Sequence, residues 1–297
     1  MTAKAQLSSV RRRGFRPTIG GGLSYVFLLA FLVYFLVPLV WLLLASTKTN
    51  AGLFSSFGFW FDTKINLLEN LNAVFARDNG AFRIWIQNTA IYAASASVGS
   101  AVISALAGYA FAQYRFAGRG ILFAIVLGSV FVPGTVFAVP LFFLASQTGL
   151  TNSLWAVILP AFANPFGVYL MRIYSQQAVP PDLVDAARVD GAGEFRIFAT
   201  IVLRLIAPGF VTVLLFAFVG AWNNYFLPLL VLGKSDLYPL TVGLAYWNSL
   251  SIAPGESQVL YAIVITGSVV AIVPVMIVFL FLQRYWQGGL SLGSIRG

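Results

Sequence analysis

The chain is 297 residues long, 59% hydrophobic and only 9% charged, where a soluble globular protein carries roughly 25% charged residues. It has no Cys and no His, which excludes disulfides, thiol nucleophiles, the usual zinc sites and histidine acid–base chemistry. The net charge of +9 is spread over short polar segments, the inward bias of a membrane protein, and does not form the single basic face that nucleic acid would need.

Residues 1–20 hold Arg11, Arg12, Arg13 and Arg16 and read as a basic, disordered cytoplasmic tail. The apolar run from Leu23 to Ser46 is about 24 residues, longer than the 7–15 of a signal-peptide core. As a helix it extends ~36 Å, enough to cross a bilayer with tilt, so it is predicted as a retained first membrane helix. Residues 47–80, with Asn70 and Asn72, read as an external loop with room for a short interfacial helix. A second membrane helix is predicted from about Phe82 to Tyr114. Ala96, Ser100, Ser104, Gly108 and Ala112 recur every fourth residue on it, a face of small side chains that lets another helix approach closely.

A short basic turn from Tyr114 to Arg119 precedes a third helix, about Ile121 to Ala145, with Pro133 and Pro140 inside it. The run Ser146–Gly149 closes it, and a fourth helix follows from about Ser153 to Tyr174, containing Pro160 and Pro165. Prolines within a membrane helix free backbone carbonyls; they mark a bend or a path, or reflect only that proline is common there. A fifth helix is predicted over about Ile201–Leu232, then a mixed loop with Lys234, Asp236 and Glu256, then a sixth over about Leu260–Leu282. Six crossings place both ends on one side. Of the 18 basic residues, 13 then fall inside and 5 outside, which agrees with the positive-inside bias and makes both termini cytoplasmic. The organisation predicted is a tail, 1–20, and an all-α membrane domain, 21–297, carrying a cytoplasmic loop at 180–200.

That loop is the most charge-dense stretch of the second half. Between Pro180 and Pro208 stand Asp182, Asp185, Arg188, Asp190, Glu194, Arg196 and Arg204. Pro181 suits a first helical turn, and Leu183, Ala186, Ala187 and Asp190 follow helical spacing. Gly191 and Gly193 then break the helix, and a second helix starts near Glu194.

The stretch Asp185-Ala186-Ala187, Asp190-Gly191-Ala192, Phe198, Ile201, Leu203, Pro208 resembles the "EAA" loop of permease subunits in binding-protein-dependent ABC importers. Asp185 stands for the usual Glu, and Arg204 for a usual Pro, which removes one expected kink at the entry to the fifth helix. Further resemblances lie at Ala107–Phe111 before Arg115 and Gly118-Arg119, at Ala221–Phe226 with Pro228-Leu229, and in the tail Phe281–Tyr285, Gly288–Leu290 and Arg296-Gly297. Together they cover nearly all of 22–297 and point to the carbohydrate-importing members, the maltose type among them. The resemblance implies a type I importer permease fold of six transmembrane helices in a bacterial cytoplasmic membrane. It implies a second permease subunit, a cytoplasmic ATPase dimer that uses ATP and Mg, and an extracytoplasmic solute-binding protein. The chain itself would bind no cofactor and catalyse no reaction. Asp185, Ala186, Ala187, Asp190, Gly191, Ala192 and Phe198 would couple it to the ATPase, and the tail after Arg284 would reach the same partner.

Gly233-Lys234-Ser235 ends like a phosphate-binding loop, but Pro228 stands where the leading glycine belongs and the position is external; it is a chance match. The stretches 205–232 and 260–282 hold no charged residue. Ion-coupled carriers keep intramembrane acids or bases, so a neutral path lined by amides and aromatic rings fits better. The candidates are Asn88, Tyr92, Tyr109, Asn164, Tyr169, Trp222, Asn223 and Asn224, each of which packing or an interfacial aromatic belt would also explain. A permease for another small solute, such as an amino acid, polyol or glycerol phosphate, and an ATP-independent channel or carrier remain as alternatives.

Overall fold

A computed structural model describes residues 19–252 and 260–290. The first helix, α1 (Ile19–Ser46), takes in the last two residues of the expected tail. The rest of that tail, and the closing Ser291–Gly297, lie outside the described residues. Then come α2 (Asn50–Ser55) and α3 (Leu67–Gln113), and next α4 (Arg119–Ser129) and α5 (Ala138–Gln147). They are followed by α6 (Trp155–Ala161), α7 (Pro165–Ala178), α8 (Pro181–Val189) and α9 (Glu194–Ile197). A π-helical turn, Phe198–Val202, leads through α10 (Leu203–Leu205) to α11 (Ala207–Trp222), α12 (Phe226–Val231), α13 (Leu240–Ile252) and α14 (Tyr261–Leu290). Every regular element among the described residues is helical. This is the outcome expected where lipid offers backbone groups no hydrogen-bond partner.

Four stretches are long and apolar enough to cross a membrane singly, and two more qualify as bent pairs. The predicted third helix is one of the pairs: α4 and the segment 134–147 meet at 100°. Pro133 lies at that break and Pro140 sits in the first turn of α5, where a missing N–H is tolerated. The predicted fourth helix is α6 and α7, with Pro165 in the first turn of α7. The predicted fifth helix is also broken. Glu194–Leu205 and Ala207–Trp222 meet at 84°, although position 204 is Arg. Pro208 at the start of α11 has no N–H to offer the preceding turn, so the bend forms one turn further along. A second break, at 223–225, detaches α12. The predicted loop at 233–259 contains a whole helix, α13. The second helix extends far beyond its predicted start because α3 begins at Leu67. Asp78, Asn79 and Gly80, all at positive φ, interrupt it just before the predicted Phe82.

The small face of α3 does what its spacing predicts. Ala96, Ser100, Ser104 and Gly108 are buried and Ala112 is half-buried, on a helix that packs against α6, α7 and α11. A Cβ on Gly108 would lie 2.6 Å from the Arg172 backbone nitrogen and from Met171 Cβ, so hydrogen alone permits the contact. In lipid, where apolar burial drives helices together only weakly, such close packing holds them. Three buried clusters follow. One joins Tyr109, Met171, Val184, Ile197, Phe198 and Val213 across α3, α7, α8 and α11. Another gathers Phe82, Trp85, Trp222, Leu240 and Trp247 at the opposite end. The third sets Tyr92 against α6 and α12.

Candidate functional site

The loop at 180–200 folds as predicted into a helical hairpin. Pro181 is the first residue of α8, and Gly191 takes φ +79°, a left-handed value that favours glycine. α8 is amphipathic. Val184 and Ala187 face inward and join the buried cluster, while Asp182, Asp185, Ala186, Val189 and Asp190 are exposed. Of the two alanines, then, only Ala186 lies open to a partner; Ala187 serves the chain's own core. Phe198 is buried as well, its ring 5.7 Å from that of Tyr109, and it anchors the hairpin. Ala192 packs on the same cluster. Two apolar side chains are strongly exposed at the tip, Val189 at 88% and Phe195 at 80%. The motif reading did not single them out, because exposure cannot be read from residue type.

Polar bonds brace the hairpin. The Arg188 guanidinium donates to Asp185 Oδ1 (2.8 Å) and to both Glu194 oxygens (2.7 and 3.3 Å). The Tyr114 hydroxyl, at the end of α3, donates to Glu194 Oε2. Gln113 Nε2 reaches the Val179 carbonyl at 3.1 Å. Bonds from Arg188 and then from Tyr114 hold the Glu194 carboxyl below the usual carboxylate range. The hairpin is thus tied to α3 as well as to α7 and α11, through residues 80 positions apart in the chain.

Three helix breaks, at 130–133, 162–164 and 223–225, converge on one cavity of about 520 Å³. Ser129, Thr135, Phe137, Pro160, Pro165 and Asn224 are among its lining residues, most of which are apolar. Broken helices place backbone polar groups beside such a space, where irregular backbone at membrane depth is tolerated. Of the residues singled out from sequence, Asn224 lines it. Its neighbours Trp222 and Asn223 line a separate cavity of about 170 Å³ against α14, where Trp222 Nε1 donates to the Ala271 carbonyl at 3.1 Å. Asn164 caps α7, accepting from Gly167 N at 2.9 Å and donating to Ser100 Oγ at 2.9 Å. Tyr169 stacks on Phe123 at 6.5 Å. Asn88 and Tyr92 donate hydrogen bonds within the chain. Asn88 Nδ2 donates to the Asp236 and Tyr238 carbonyls (2.8 and 3.1 Å), and the Tyr92 hydroxyl to Leu237 O (2.9 Å). With Trp85 and Thr89, which bond Ser235 O and Leu240 N, they form one face of α3 that satisfies the irregular segment 235–240. No group of three or more acidic, His or Cys side chains that could hold a metal occurs among the described residues.

Residues 100–290 match the family of inner membrane components of binding-protein-dependent transport systems. The chain is 36% identical over 270 residues to the arabinooligosaccharides transport system permease protein AraQ of Halalkalibacterium halodurans, covering 91% of this chain and 93% of that one. It is 30% identical over 296 residues to the diacetylchitobiose uptake system permease protein NgcG of Streptomyces coelicolor, covering 99% and 93%. Among solved structures, it superimposes on a chain of a bacterial ABC transporter involved in the import of alginate with a TM-score of 0.79 at 24% identity, covering 92% of this chain and 99% of that one.

Proposed function

The chain belongs to the family of inner membrane components of binding-protein-dependent transport systems, and from that premise we propose that it forms half of the translocation pathway of an ATP-driven carbohydrate importer. The family's members are permeases, not enzymes; ATP is hydrolysed by separate subunits. The observation that carries the reading is the exposed hairpin 181–197, rooted in the core and presented beyond the ends of the apolar helices. Its acidic rim of Asp182, Asp185 and Asp190, with Val189 and Phe195 exposed near it, suits a cleft on a cytoplasmic ATPase. Closure of an ATPase pair on ATP and Mg would move this braced hairpin as a unit. The bends at 206 and at 162–164 would let α7 and α11 pivot.

In this reading α1, α3, the α4–α5 pair, α6 with α7, α9–α11 and α14 make six crossings of a bacterial inner membrane, with both termini cytoplasmic. The basic tail precedes the membrane domain, and the cavity where three helices break lies along the solute path. A second permease subunit completes that path, and an extracytoplasmic solute-binding protein delivers the sugar. Support for a sugar comes from relatives named for arabinooligosaccharides and diacetylchitobiose that align with nearly the whole chain.

The test is to tag this chain, extract it from native membranes in mild detergent, and identify what accompanies it. A second permease, an ATPase and a binding protein are expected, together with ATP-dependent uptake of labelled oligosaccharide that needs this chain. Phe195→Ser should release the ATPase while the second permease stays bound. Recovery of the chain alone under several mild conditions, with uptake indifferent to ATP, would overturn the proposal.

A further inference from the structure

At the end of the bundle that carries the hairpin, α4 and α7 hold two arginines that no carboxylate answers. Arg119 opens α4, and Arg172, on α7, lies over the ring of Phe123, one turn along from Arg119 on the same face of α4. Among the described residues no acidic side chain lies within ion-pairing distance of either. On the hairpin, Asp185 and Glu194 are engaged instead with Arg188. Arg119 donates only to backbone carbonyls, Tyr114 O at 3.1 Å and Ala112 O at 3.4 Å. Arg172 lies 3.7 Å above the Phe123 ring, and its Nε is buried without an acceptor.

Two like charges in partial burial cost free energy unless an anion lies between or beside them. Such an anion would have further donors at hand. The backbone N–H groups of Gly120 and Ile121, in the first turn of α4, have no acceptor within the helix, which is 11 residues long, so its dipole also favours negative charge there. The surroundings of the pair are aromatic: Phe116, Phe111, Phe123 and Tyr169 make contact in that order with centroids 5.5–6.5 Å apart, the first two pairs tilted or edge-on and the last stacked. Arginine over aromatic rings, between two membrane helices at their basic end, is the setting in which acidic headgroups bind.

We propose that the seam where α4 packs on α7 binds a phosphate ester through Arg119, Arg172 and the first turn of α4, the chemistry shared by an anionic phospholipid headgroup and free phosphate. That both helices belong to candidate membrane spans favours the lipid. An occupied site would pin α4 to α7, the two helices that flank the large cavity's breaks, and so make the moving part of the molecule sensitive to membrane composition.

The test uses the whole transporter complex. Short-chain phosphatidylglycerol is titrated into the purified complex and counted by native mass spectrometry, with phosphatidylcholine as the control lipid. In parallel, inorganic phosphate is titrated and the melting midpoint read. For the wild type, one phosphatidylglycerol per copy of this chain should bind more tightly than phosphatidylcholine, and Arg172→Gln should weaken it roughly tenfold, the effect of one lost charge-assisted bond. Arg172→Lys, which keeps the charge, should recover part of the affinity and guards against a variant that misfolds. A phosphate-dependent midpoint that Arg172→Gln abolishes, without lipid selectivity, would assign the site to free phosphate. If neither probe distinguishes wild type from Arg172→Gln, the proposal fails. It fails equally if the substitution only separates the two permease chains, because a carboxylate of the second subunit would then be the missing anion.

Discussion

Arg188 decides how stiff the hairpin is, because it holds Asp185 on its own helix and Glu194 on the next. Glu194 is half exposed, so solvent screening keeps the pair's contribution small, yet its sign is fixed. A carboxyl with a depressed folded pKa stabilises the fold above its ordinary value, about 4.3, and that contribution is lost as pH falls through the folded value. Melting curves of the purified complex should therefore favour wild type over Glu194→Gln at neutral pH, and the difference should vanish in acid. A gap that persists or widens in acid would contradict the bonding described. Gly191 offers a sharper test. A Cβ there would meet nothing within 4 Å, so Gly191→Val introduces only the backbone strain of a left-handed residue, about 1–2 kcal/mol. Normal membrane levels with loss of ATP-driven uptake are expected; full uptake would show that the turn between α8 and α9 transmits nothing.

The elements divide by how they are held. α3 and α7 touch through glycine and serine, and their contact has no slack. Gly108→Ala must push α7 away by several tenths of an ångström, and overpacking of this kind costs about 1–3 kcal/mol. A lower melting midpoint of the complex is the expected result, and an unchanged midpoint would mean the pair relaxes freely. The broken helices behave oppositely. Pro133, Pro165 and Pro208 each stand at or just after a break. The backbone there lacks regular partners, which makes these positions suited both to bending and to lining a cavity.

For the whole molecule, the distribution of exposure is unequal. α1 is apolar around its full circumference and almost entirely exposed from Leu23 to Leu43, touching the rest mainly through α14. The most apolar window of α3 is 44% buried. A helix apolar all round with so few contacts faces lipid or a second subunit. A photoactivated probe dissolved in the bilayer should label α1 more heavily than α3 in the complex. Equal labelling would mean that another chain sheathes α1.

The amino-acid sequence was enough for the membrane class, the small packing face of α3, and the hairpin at 181–197 with its turn at Gly191. Each rests on local information: composition, spacing along one helix, or a residue type that a backbone angle demands. It was also enough for the family, which the motif at Asp185–Pro208 identified. The tertiary structure alone decided which residues point where. Asn88 and Tyr92, named for the pathway by residue type, are donors to carbonyls about 145–150 positions away, contacts that residue type does not reveal. Ala186 and Ala187 are adjacent and chemically identical, and one faces outward while the other joins the core. The 84° bend survived the loss of an expected proline at 204, since Pro208 supplied the same missing N–H. The partnership of Tyr114, Arg188 and Glu194, and the unanswered pair Arg119 and Arg172, join segments far apart in the chain. Single-sequence patterns carry no record of such distances, because contacts across a bundle depend on how helices bend and turn against one another.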